Sequence, residues 1–302
     1  MPKSIHCPKC GLFNSVRKHG RSKKGIQRYR CIECSRTFIF NESPLKHLHI
    51  SNHKFKQLIG YMIDDVALDV IARNMNINIK TAHYYRYLVF HSLLNYQDEI
   101  RLSGTILIDE TFIRIKEKKY ILRKPDGKGY RGLSFNQLCV ITLINLQGLC
   151  IAKVSSRAMA LPDDYKRLCN INIDNPTLFI HDGNPKQKQF MRQFKCDNVD
   201  GKRDITGEYS TEIIDSLHSN IKRYLFKHSG FKLKNLQHYL NFFVYRYNFL
   251  IKARIDNHTK LIKTKNFMIE DLFNRVIQTK KTVTYKTYLN DEGILNVLES
   301  KL

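Results

Sequence analysis

The chain has 302 residues, with 51 Lys+Arg against 27 Asp+Glu, a formal net charge of +24 and a pI near 9.7. Its 42% hydrophobic and 11% aromatic content excludes a disordered polycation, and at roughly 100–200 residues per domain the length fits two or three domains. No uninterrupted apolar run nears the roughly 20 residues that span a bilayer, and the first residues lack the apolar stretch of a signal peptide, so a cytoplasmic protein without membrane contact is expected. Such a charge excess favours a polyanionic partner. It is also uneven: residues 1–60 hold 13 Lys/Arg and 2 Asp/Glu. These basic residues surround a cysteine framework rather than an amphipathic membrane helix, so nucleic acid is the expected partner.

Residues 1–45 read as a zinc ribbon. Cys7-Pro8-Lys9-Cys10 and Cys31-Ile32-Glu33-Cys34 are separated by twenty residues, a spacing that sets four thiolates around one structural Zn²⁺. About 40 residues build little core, so metal binding has to supply much of the folding energy. Lys23, Lys24 and Arg28 lie in the basic interval as candidate DNA contacts, and Phe38 and Phe40 follow in an alternating strand. Cys139, Cys150, Cys169 and Cys196 lack ligand spacing and read as free thiols.

Residues 46–100 read as a helix-turn-helix DNA-binding domain. After an apolar-periodic helix (Phe55, Leu58, Ile59, Met62, Ile63) comes a second, ending in Asn76, which tolerates the positive-φ turn position. The next helix, from about Ile79, offers Lys80, Thr81, His83, Tyr84 and Arg86 to a DNA groove.

From about residue 103 the texture becomes α/β. Strands are expected at Thr105–Ile113, Lys119–Leu122, Leu138–Leu143, Leu149–Val154 and from Thr177 to the carboxylate Asp182, with a helix near Asp163–Cys169, which makes a mixed sheet. Asp109 and Asp182 sit in or just after apolar strands, where an unpaired carboxylate is costly. Side by side they suit a divalent cation, Mg²⁺ or Mn²⁺, and two such ions drive in-line phosphodiester displacement. A third acid is expected from the helix Thr211–Arg223, where Glu212 and Asp215 are three apart on one face. Lys222, two turns beyond Asp215, is placed to hold a scissile phosphate.

With these residues in view the chain resembles bacterial insertion-sequence transposases of the DDE superfamily, in the branch with an N-terminal zinc ribbon. The marks are the four cysteines, Ile108-Asp109-Glu110-Thr111, Ile180-His181-Asp182-Gly183, the segment Ile214–Lys222, and Tyr245-Arg246-Tyr247-Asn248. The resemblance implies a ribonuclease H-like catalytic domain over residues 101–255, Mg²⁺-dependent cleavage at transposon ends and strand transfer into target DNA. It also implies double-stranded DNA as partner and at least a dimer in the active complex. In that branch the position of Glu212 is commonly Asn and that of Asp215 commonly Glu, so either residue completes the pair, with Asp215 the closer match in spacing.

Residues 231–255 form an aromatic helix expected to cover the sheet. Residues 256–302 read as a basic C-terminal extension with an apolar-periodic stretch (Phe267, Met268, Leu272, Phe273, Val276), a candidate for contact with DNA or a second protomer. Two other readings remain open: a non-catalytic zinc-ribbon/helix-turn-helix regulator, which leaves Asp109 and Asp182 unexplained, and a structure-selective nuclease of ribonuclease H-like fold. A tyrosine recombinase is suggested only by His83-x-x-Arg86, inside the candidate recognition helix.

Overall fold

The computed structural model describes residues 5, 7–12, 15–23, 25–39, 48, 50–130, 132–203, 208–228, 230–255, 261–279 and 283–300. The chain divides into two compact units, Met1–Ile50 and Ser51–Leu302.

In the first unit β1 (Val16–Arg21), β2 (Gln27–Cys31) and β3 (Thr37–Ile39) form an antiparallel meander. Tyr29 and Phe38 are opposite each other in register, their ring centroids 6.1 Å apart. Only Cys7 and Cys31 are buried among its described residues. Two thiols and one ring pair cannot offset the entropy of ordering such a segment. Phe40 and Lys24 lie outside the described residues.

The second unit begins with three helices. α1 (Asn52–Ile63) is N-capped by Ser51, whose hydroxyl accepts from Lys54 N at 3.2 Å. α2 (Leu68–Met75) ends at Asn76, which takes φ +50° as expected of the turn. α3 (Ile79–His91) starts on an Asn78 cap that accepts from Lys80 N at 2.9 Å. Ile71, Ala72, Met75, Ala82 and Tyr85 are buried, so α2 and α3 pack through their small and apolar faces.

The sheet has five strands: β4 (Leu102–Arg114), β5 (Gln137–Asn145), β6 (Cys150–Arg157), β7 (Ile173–His181) and β8 (Asp197–Asp200). Their order is β6-β5-β4-β7-β8, with the first three antiparallel and β7 and β8 parallel to β4. This is the expected mixed α/β sheet. β5 is buried at eight of nine positions because helices cover both faces. α4 (Pro162–Cys169) and α5 (Pro185–Met191) lie on one face, and α6 (Glu212–Lys227) with α7 (Leu236–Ile255) on the other.

Three expectations change. Lys119–Leu122 is not a strand: Lys118–Tyr120 forms a single 3₁₀ turn with only Tyr120 buried. An apolar run of three residues between charged neighbours and a Pro-Asp-Gly turn has too little to bury. β8 was not expected, because Asp197-Asn198-Val199-Asp200 is polar and pairs only as the sheet's edge. Finally, α8 (Leu261–Gln278) packs on α1, α3 and α7, burying Met268, Leu272, Phe273 and Val276 while Phe267 stays 57% exposed. α9 (Tyr285–Leu289) and α10 (Leu295–Glu299) follow, the latter against β6, where Arg157 Nη1 donates to Leu298 O at 2.8 Å. Among the described residues no helix is long and apolar enough to cross a membrane.

Candidate active site

The β4–β7 register sets the site. Leu107 pairs with Ile180 in the parallel ladder, so two residues further on Asp109 and Asp182 lie level and project to the same face. The first turns of α6 cross that face and bring Asp215, whose Oδ2 accepts from Thr211 Oγ1 at 3.0 Å. The three carboxylates line one cavity of about 40 Å³, room for a cation and on the order of two waters. Glu212 is exposed and does not line it. Both late acids are exposed on α6, and it is Asp215 that lines the cavity.

Crowding shows in the electrostatics. Burial, then the charges of Asp182 and Asp215, push the Asp109 carboxyl up to about 6, against the Glu110 amide that donates to its Oδ1 at 2.8 Å. Holding Asp109 ionised at neutral pH thus costs the folded chain on the order of 3 kcal/mol. Glu110, next in β4, points to the opposite face. There it accepts from Tyr165 on α4, from Asn184 Nδ2 at 3.0 Å and from Gln187 Nε2 at 3.2 Å, and burial raises its carboxyl to about 7. It ties β4 to α4 and α5 and stands outside the cavity.

Asp182 ends its strand in a tight turn. Its Oδ1 accepts from Asn184 N at 3.2 Å, and Gly183 takes φ +88°, where a Cβ would meet Asp200 Oδ2 at 2.6 Å. Its Oδ2 is paired to Lys202 Nζ at 3.2 Å. Lys202 was not anticipated, because it follows β8, which itself has no apolar signature. His218 was also missed, though its spacing of three from Asp215 on one helix is a usable signal. It is buried, and desolvation with the nearby Lys222 charge pulls its imidazole down to about 4, so it is neutral at physiological pH.

Lys222 does not line the acidic cavity. It borders a separate cleft of about 620 Å³ with Phe226, Phe231, Arg114, Lys116 and Lys232. Seven residues along α6 carry it about 10 Å from Asp215.

Of the expected groove-facing side chains on α3, Lys80 is exposed and Thr81 partly so. Tyr84 and Arg86 turn inward instead. The Tyr84 hydroxyl donates to Val283 O at 2.6 Å and its ring packs on Tyr285 and Tyr288. The Arg86 guanidinium lies over Tyr239 and Phe90 and bonds His83 at 3.2 Å. In the first unit Lys23 is exposed and Arg28 partly so.

The four ribbon cysteines do converge. Cys7 Sγ lies 3.5 Å from Cys34 Sγ and Cys10 Sγ 3.6 Å from Cys31 Sγ, all four within 4.8 Å of one another. Zn–S bonds of about 2.3 Å at tetrahedral angles imply S···S edges of about 3.8 Å. The donor set is that of a closed structural Zn²⁺ site.

Residues 3–35 match the family model of the InsA N-terminal domain, a zinc ribbon. No curated protein matches the chain. Among solved structures it is similar to a pre-cleavage Mos1 transpososome, with 12% identity, a TM-score of 0.31, and 75% of this chain and 77% of that one covered. It is similar too to a Mos1 transposase paired-end complex with the left transposon end (12%, TM-score 0.24, 74% and 79%) and to the Drosophila P element transposase strand transfer complex (10%, TM-score 0.28, 84% and 72%). At so low a level of similarity, function rests on the site's own geometry.

Proposed function

We propose that this protein is a DNA transposase of an insertion sequence, which binds the element's terminal inverted repeats, cleaves the 3′ ends and joins them to target DNA. The observation that carries this reading is the meeting of Asp109, Asp182 and Asp215, from two parallel strands and a later helix, around one ion-sized cavity. The ribbon of residues 1–45 and the helices of residues 46–100, through Lys80 and Thr81, serve end binding. Residues 101–255 serve catalysis, and a homodimer or larger assembly pairs two ends.

The residues present fit a divalent cation. Three carboxylates share one ammonium, Lys202, and Asp109 is ionised only against its burial. Hard oxygen donors of this kind suit Mg²⁺ or Mn²⁺. Asp109 and Asp215 would hold the ion, with Asp182 available where Lys202 gives it up. When bound it supplies Lewis acidity and a lowered pKa for an attacking water or hydroxyl. The chain's own residues do the positioning: Asp109 and Asp182 fix the register of the site through the sheet, and Lys202 offers a positive charge for a phosphate. A water oxygen forms the new P–O bond as the P–O3′ bond breaks, leaving a 5′-phosphate and a 3′-hydroxyl. That hydroxyl oxygen then forms a new P–O bond with a target phosphodiester as the target's own P–O3′ bond breaks, releasing a target 3′-hydroxyl.

The test uses the DNA flanking the gene as substrate. Asp109→Asn, Asp182→Asn and Asp215→Asn each lower cleavage by about 10³-fold with end binding intact, whereas Glu212→Gln retains it. Full cleavage by the Asp109 variant would remove the metal-site reading. Binding without cleavage by the wild type favours a regulator, and hydrolysis without joining favours a nuclease.

A further inference from the structure

His218 sits on α6 one turn after Asp215 and is 7% exposed. Its Nε2 lies 2.7 Å from Thr142 Oγ1. The Thr142 hydroxyl has one proton and donates it to the main-chain carbonyl of Asp109 at 2.9 Å, a group that only accepts. The hydroxyl must therefore accept from His218, so Nε2 carries the ring proton. Nδ1 is then the ring nitrogen left to offer a lone pair. It faces Asp109 Oδ2 at 3.9 Å, beyond hydrogen-bond length, and among the described residues no donor reaches it. Ligand atoms of Asp109, Asp215 and His218 all lie within 4.8 Å of one another. A lone pair facing a carboxylate, with a second carboxylate in the same cluster, is favourable when a cation sits between them.

We infer that His218, through Nδ1, is a direct ligand of the cation held by Asp109 and Asp215, and that Thr142 fixes its tautomer. The inference rests on the metal-dependent reading above and makes it more specific. A metal-binding imidazole whose other N–H is held by the protein is the arrangement that orients a ligand histidine. One nitrogen beside two carboxylates shifts preference from Mg²⁺ toward Mn²⁺, since imidazole suits transition metals and Mg²⁺ prefers oxygen. Asp182, tied to Lys202, stands outside this group.

The test is pulsed electron paramagnetic resonance of Mn²⁺ bound to the full chain, with calorimetric Mn²⁺ titration alongside. Expected are nitrogen modulation from one imidazole in the wild type, its loss in His218→Gln, and Mn²⁺ affinity about 10–100-fold weaker in that variant. Thr142→Val weakens Mn²⁺ binding and Thr142→Ser restores it, a rescue that loss of packing alone would not show. Should His218→Gln fail to fold, the wild-type spectrum decides. Mn²⁺ bound without nitrogen coupling overturns His218 as a ligand and leaves the carboxylate site standing. Absence of Mn²⁺ binding at millimolar concentration overturns both the ligand and the proposed function.

Discussion

Among the described residues of 1–50 only two cysteines are buried, whereas from residue 51 onward a five-stranded sheet is covered by helices on both faces. The cysteines of the first unit take the place of a core, so the ion they hold is itself the main stabilising contact. In the second unit the acids are set into a core that would hold without them, and Asp109 weakens it. One constellation is closed, soft and structural. The other is open, hard and borders a cavity. Cluster geometry alone does not tell stability from chemistry; what the cluster replaces does.

The contrast breaks first at the zinc. Chelation or Cys31→Ser removes folding free energy on the order of 10 kcal/mol from the ribbon. Amide exchange is expected to show residues 15–39 fully unprotected while β4 to β7 keep their protection. Loss of protection in both units would make them one cooperative body.

Smaller in energy are the acids. Asp109→Asn, Asp182→Asn and Asp215→Asn should each lower cleavage by about 10³-fold, roughly 4 kcal/mol at the transition state. Asp109→Asn should at the same time raise metal-free stability by about 1–3 kcal/mol, because a carboxylate ionised against its burial is replaced by a neutral acceptor. Denaturant unfolding reads this directly. A destabilised Asp109→Asn would show that Asp109 belongs to the core's support, as the ribbon thiols do.

The smallest effect distinguishes surface from packing within α3. Lys80→Ala should weaken DNA binding and reduce the salt slope by about one phosphate contact. Tyr84→Phe should leave that slope unchanged and lower stability by about 1 kcal/mol, because its hydroxyl serves Val283 O. The opposite pattern would return Tyr84 to the DNA face.

What the chain shows of itself follows the range of each signal. Cysteine spacing, the positive-φ turn at Asn76 and the apolar strands around Asp109 and Asp182 are local, and they carry through to the structure. Asp215 over Glu212 needed the helix placed on the sheet, since the two acids lie three apart on α6 and Asp215 is the one that borders the cavity. Tyr84 and Arg86 read as groove residues until α7 and α9, some 150 to 200 residues away, cover them. Lys119–Leu122 had strand-like residues but no neighbour to pair with. Lys202 enters from beyond an edge strand whose polar residues leave no periodic trace.

The convergence of carboxylates on a cation is tested most directly by anomalous scattering from crystals soaked in Mn²⁺. The expected map has a manganese peak in contact with Asp109 and Asp215. A featureless cavity with Lys202 still on Asp182, in crystals where Mn²⁺ is in excess, would contradict it.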